Sequence, residues 1–157
     1  MLKLMLLRHA KTEKYSVTGL DFDRQLAPKG ERQAKSMSTH LNNFELSDSA
    51  VLCSDAKRTR ETFDFIQHGN ALNSLTFDNA LYLANREEIF SILSKHQGNS
   101  PILLIGHNDG LSDLASYLTD SYQHLETCTL LSMDVHADDW SEITQGSCTI
   151  SEMFRPE

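Results

Sequence analysis

The sequence predicts an α/β fold: a three-layer α/β/α sandwich around a mostly parallel central sheet, with a C-terminal antiparallel hairpin. Three observations predict it. Short apolar runs recur along the chain without polar–apolar alternation, the pattern of strands covered on both faces. Segments with helical spacing of apolar residues follow these runs. Toward the C-terminus the strand–helix alternation gives way to strand–turn–strand patterning.

The elements follow in order. Leu2–Leu7 reads as the first buried strand. Thr12 to Ala27 is weakly patterned and reads as a functional loop. Pro28 suits a helix start, and Ala34, Met37 and Leu41 then follow at helical intervals. Ala50–Cys53 is the next apolar strand, after which Ser54 or Asp55 is expected to cap a helix with Phe63 and Ile66 inward. Asn85 is expected to cap a helix from Arg86 to His96 that buries Ile89, Phe90 and Leu93. Ile102–Ile105 is a further buried strand. The helix after it carries the clearest apolar stripe, Leu111, Leu114, Ala115 and Leu118. Thr127–Val135 and Trp140–Thr144 are expected to pair across a turn at His136–Asp139, with Ser147–Phe154 as one more strand.

Composition narrows the function classes. Lys plus Arg is 14 and Asp plus Glu is 22, giving a net charge of −8. Such a surface repels phosphate backbones and anionic lipid, so neither nucleic acid nor membrane is an expected partner. No apolar stretch is long enough to span a bilayer, and the apolar start runs at once into Arg8 and His9, so a cytoplasmic protein is expected. Cys53, Cys128 and Cys148 are widely spaced and form no CxxC pair, which points to three reduced, buried thiols.

The chemistry lies at the strand ends. The first strand ends in Arg8-His9-Ala10-Lys11, the second in Ser54-Asp-Ala-Lys-Arg58, and Ile102–Ile105 in Gly106-His107-Asn108. In open parallel sheets ligands bind beyond the carboxyl ends of the strands, so Arg8, His9, Arg58 and His107 are expected to meet there. Guanidinium forks match phosphate oxygens. An imidazole, with a reference pKa of about 6.5, is a competent nucleophile near neutrality, and neighbouring arginines disfavour its protonated form. Tyr82, in Leu81-Tyr82-Leu83, is placed either at the mouth of this site or as a half-buried packing residue. His40, His68, His96, His124 and His136 lack partners at metal-ligand spacing.

Leu7-Arg8-His9-Ala10 resembles the RHG signature of the histidine phosphatase superfamily, which also includes the phosphoglycerate mutases. Arg24-x-Leu26-x-x-x-Gly30, Ser54-x-x-x-Arg58-x-x-x-Thr62 and Gly106-His107 are similar to further motifs of that family, in the same order. The chain is similar to its small bacterial SixA-type phosphohistidine phosphatases. The resemblance implies a phosphoglycerate mutase-like fold and a single histidine phosphatase domain over 1–157. It assigns His9 as the nucleophile that becomes phosphorylated, Arg8 and Arg58 as the phosphoryl clamp, His107 as a hydrogen-bond donor and Arg24 as a further substrate-binding arginine. It implies no metal and no organic cofactor. The implied substrate is phosphohistidine on a phosphotransfer or signalling protein. A small phosphate ester, such as a sugar phosphate or nucleotide, is the alternative, and a non-catalytic phosphate-binding module a third. Ala10 stands where the signature has glycine, so the turn there cannot use a glycine-only conformation. A carboxylic acid to protonate a leaving alkoxide has no clear match. Glu87, Glu88 and Asp109 are candidates by location.

Overall fold

The structure, a computed structural model, describes residues 1–157. The elements in chain order are β1 (Leu2–Arg8), α1 (Pro28–Leu41), β2 (Ala50–Ser54), α2 (Lys57–Gln67), β3 (Ser74–Asp78), α3 (Arg86–Ser94), β4 (Ile102–Gly106), α4 (Gly110–Thr119), β5 (Leu130–Val135) and β6 (Cys148–Phe154). The six strands form one sheet in the order β3-β2-β4-β1-β5-β6. The first four are mutually parallel, whereas β5 runs antiparallel to β1, and β6 to β5.

Alternate residues of the central strands supply two cores. Leu4 and Leu6 of β1 and Ile102 and Leu104 of β4 join the core containing α3 and α4. Met5 and Leu7 with Leu103 and Ile105 join the opposite core, with Met37 and Leu41 of α1 and Phe63 and Ile66 of α2. Both faces are therefore covered, and this is why the strands read as unbroken apolar runs. The chain moves outward from β1 to β2 and β3, then returns to β4, which slots between β1 and β2. Right-handed crossovers made in opposite directions put α1 and α2 on one face and α3 on the other. They leave a crevice at the carboxyl ends of β1 and β4, where Arg8 pairs in register with Gly106.

Several expectations need correction. The helix α2 starts at Lys57 with Ala56 as its N-cap and no side-chain cap. Ser54 is turned instead toward His107, and Asp55 pairs with Arg60. Trp140–Thr144 is not a strand. Trp140–Glu142 is a short 3-10 turn capped by Asp139, and the partner of β5 is β6. Trp140 and Ile143 are both buried and three residues apart, which is the spacing of a helical turn rather than a strand. The fully buried indole donates its N–H to the Ser100 carbonyl, 3.3 Å away. The helix α3 ends at Ser94, short of His96, but Asn85 caps it as expected, with Glu88 completing a capping box. The edge strand β3 is largely exposed, so the apolar signal that marks the other strands is missing there.

Gly30 fixes how close α1 comes to the segment after β1. A Cβ at this position would lie 1.9 Å from the Lys11 carbonyl oxygen. The clash is with backbone, so the helix itself would have to move. Gly30→Ala is expected to lower stability by about 1–3 kcal/mol in urea denaturation.

Candidate active site

The carboxyl ends of β1, β2 and β4 and the loop before α1 enclose a pocket of about 340 Å³. Arg8, His9, Arg58 and His107 all line it, as does Arg24. All five residues singled out in the sequence thus share one pocket. The His9 and His107 ring centroids are 5.4 Å apart.

His9 is held by its backbone. Its own N–H bonds the Gly106 carbonyl on β4, and its carbonyl accepts from Cys128 N–H at 2.9 Å. Ala10 is fully buried, and its N–H donates to the Thr62 hydroxyl at 3.1 Å. That hydroxyl in turn donates to the Arg58 carbonyl, so the second arginine motif braces the strand end carrying the histidine. The His9 Nδ1 lies 2.8 Å from the Ala10 carbonyl oxygen. A carbonyl only accepts, so Nδ1 carries the proton and the lone pair of the neutral ring is on Nε2. Burial, reinforced by the Arg58, Arg8 and Arg24 charges, lowers the His9 pKa to about 3 against the opposing pull of the Ala10 carbonyl. His107 is lowered to about 3 as well, first by burial and then by His9 and Arg58. The direction matches the expectation from the arginines, but desolvation is the larger cause. The His107 Nε2 is 2.7 Å from the Ser54 hydroxyl, and its buried Nδ1 has no protein partner.

The arginines are anchored at one end and unsatisfied at the other. Arg8 donates from Nη1 to the Leu125 carbonyl at 3.1 Å. Arg58 donates from both terminal nitrogens to Asp21, to its backbone oxygen at 2.8 Å and its carboxylate at 3.0 Å. In both residues the buried Nε–H has no acceptor. Arg24 bonds Thr12, the Glu13 carbonyl and Asp21.

Asp21, which the sequence reading did not single out, is the pocket's only carboxylate. It accepts from Tyr82, Arg24 and Arg58 together. Burial works to raise its pKa, but the Tyr82 hydroxyl, the Arg58 charge and the Arg24 hydrogen bond outweigh it and hold the group at about 2. The signal available in sequence was an acid three residues before Arg24. Tyr82 is half-buried and packs edge-on against Phe22, as the packing alternative had it, while its ring centroid lies 5.5 Å from that of His107 and its hydroxyl bonds Asp21. None of the anticipated acids lines the pocket. Glu88 is spent on the α3 cap, Glu87 pairs with Arg86, and Asp109 lines a separate hollow of about 570 Å³. No group of His, Cys, Asp and Glu residues is arranged to hold a metal ion.

The fold and the pocket together define an α/β protein that presents a neutral imidazole to an anion site built from guanidinium groups. Residues 4–81 match the model of the histidine phosphatase superfamily (branch 1). An uncharacterized chloroplastic protein of Arabidopsis thaliana is 30% identical over 151 residues, covering 89% of this chain and 69% of that one. The protein histidine phosphatase SixA complexed with tungstate superimposes with a TM-score of 0.82 at 18% identity, covering 98% of this chain and 97% of that one. A protein assigned as SixA from Nakamurella multipartitia gives 0.84 at 22% identity, covering 99% and 96%. Mycobacterial glucosyl-3-phosphoglycerate phosphatase gives 0.69 at 13% identity, covering 97% and 98%. This chain belongs to the histidine phosphatase superfamily. That membership supports phosphatase activity on a phosphorylated substrate. No helix is long and apolar enough to cross a membrane.

The two depressed imidazoles make stability depend on pH. In the unfolded chain they ionise near 6.5, in the folded chain near 3. Between those limits the unfolded state binds more protons, so stability is lost as the pH falls through the window. The thermal midpoint is expected to decline from about pH 6.5 downward, before exposed carboxylates protonate near pH 4. A His9→Gln variant should show a shallower decline by circular dichroism.

Proposed function

We propose that residues 1–157 form one catalytic domain, a phosphatase that transfers a phosphoryl group to His9 Nε2 and then to water, with phosphohistidine on a protein as its substrate. In the first step the Nε2 lone pair attacks phosphorus and the bond to the leaving nitrogen breaks. The departing imidazole takes its proton from solvent. In the second step water attacks the phosphorylated His9, releasing inorganic phosphate and restoring the lone pair. Arg8 and Arg58 stabilise the equatorial oxygens, with Arg24 contributing from the loop. His107 Nε2 is occupied by the Ser54 hydroxyl while its Nδ1 has no protein partner, so in the tautomer with the proton on Nδ1 this ring is assigned to donate to the transferring group.

One observation carries the choice of substrate. The pocket's only carboxylate is held ionised by Tyr82, Arg24 and Arg58, so no carboxylic acid is present near neutral pH. An alkoxide leaving group needs a proton in the transition state, whereas the imidazole of a phosphoramidate leaves once solvent has protonated it. The orphaned N–H groups of Arg8 and Arg58 support anion binding. So does the tetrahedral oxyanion tungstate found with SixA, which shares this fold.

The test compares a phosphorylated histidine phosphotransfer domain with a sugar phosphate and p-nitrophenyl phosphate. The phosphoprotein is expected to be hydrolysed with the highest kcat/KM, and His9→Ala to abolish turnover of every substrate. Arg58→Ala is expected to lower kcat/KM by about 10²–10³-fold. Faster hydrolysis of the sugar phosphate would favour a small-ester phosphatase instead. Anion binding without turnover would mark a binding module.

A further inference from the structure

Beside the phosphoryl pocket lies a second hollow of about 310 Å³ that shares two of its walls, Asp21 and Arg24. Tyr15 and Leu20 line it as well, both largely exposed, and Val17 on the same loop is fully exposed. The one apolar residue lining the phosphoryl pocket itself is Leu83, 53% exposed. Of the eight large apolar side chains that stand exposed on the molecule, four therefore lie on the two segments that border one cationic pocket. Single exposed apolar residues are ordinary, but a cluster around a site is not.

Leu83 adds a second observation. Its backbone lies in the left-handed region, with φ 51°, a conformation unfavourable for a branched side chain. Half-exposed as it is, the side chain returns little of that cost by burial in the chain itself. Strained residues of this kind cluster at ligand-contacting positions. The two segments are also clasped together. The Tyr82 hydroxyl donates to Asp21 at 2.5 Å, and the Phe22 ring stands edge-on to Tyr82 at 4.9 Å.

We infer that Tyr15, Val17, Leu20 and Leu83 form a docking rim for the protein segment that carries the phosphoryl group, seating apolar side chains that flank the phosphorylated residue. The inference rests on the phosphatase reading above. Continuity selects the occupant: the hollow and the pocket share Asp21 and Arg24, so a residue anchored at His9 lays its neighbours over Leu20 and Tyr15. A sugar phosphate offers hydroxyls where the rim offers apolar side chains. A second copy of this chain would bring another net charge of −8 to the same surface.

The test uses a phosphorylated histidine phosphotransfer domain and free phosphoramidate, a small substrate with the same phosphorus–nitrogen bond. The double variant Val17→Ser/Leu20→Ser alters no residue of the phosphoryl pocket. It is expected to raise KM for the phosphoprotein by about tenfold, the scale of one lost leucine contact, with kcat retained and phosphoramidate turnover unchanged. Leu83→Asn, which the left-handed backbone tolerates, should raise the same KM without lowering the thermal midpoint. An unchanged phosphoprotein KM in both variants would overturn the docking rim while leaving the phosphatase reading intact. If the parent protein cleaves phosphoramidate but not the phosphoprotein, the substrate reading itself fails, and the rim with it. A concentration-dependent dimer in sedimentation that the double variant abolishes would assign the rim to self-association and overturn the proposal.

Discussion

An imidazole surrounded by guanidinium groups must stay uncharged and keep one particular nitrogen free. The Nδ1–H bond from His9 to the Ala10 carbonyl meets the second requirement, and burial meets the first. Much of the nearby structure serves that one bond. Thr62 ties the Ala10 amide to the Arg58 carbonyl, Cys128 holds the His9 carbonyl, and the register of β1 on β4 brings Gly106 to the His9 amide. A ring free to flip would alternate its lone pair between two nitrogens, and only one arrangement offers a nucleophile in line with a bound phosphoryl group.

The second constraint is charge balance. Three arginines and Lys11 line a pocket in a protein whose net charge is −8. Asp21 offsets part of that positive charge and, by gripping both terminal nitrogens of Arg58, fixes the plane of its guanidinium. The same interactions hold the Asp21 carboxyl below the ordinary aspartate range, at about 2. Under the proposed reaction Asp21 positions Arg58 as a carboxylate and supplies no proton to the leaving group.

Much of this was legible in the sequence for identifiable reasons. Leu4–Leu7 and Ile102–Ile105 read as strands because both faces are covered, and strand ends in a parallel sheet gather Arg8, His9 and His107 without regard to chain distance. Arg58 was placed by its motif. What stayed hidden depends on tertiary partners. Asp21 looks like any loop acid until Arg24, Arg58 and Tyr82 converge on it. Ser54 looks like a helix cap until His107 competes for its hydroxyl. Trp140 and Ile143 suit a short strand in composition, and only their burial together reveals the 3-10 turn. Glu87, Glu88 and Asp109 were near the site in sequence, yet Glu87 pairs with Arg86, Glu88 caps α3, and Asp109 lines a separate hollow.

The most direct measurement is a rapid alkaline quench of the enzyme during turnover, with the phosphorylated residue located by mass spectrometry and phosphorus NMR. The account predicts phosphorus on His9 Nε2, stable in alkali, labile in acid and lost when substrate is exhausted. Turnover with inversion at phosphorus and no phosphorylated His9 would contradict it, because water would then be attacking the substrate directly.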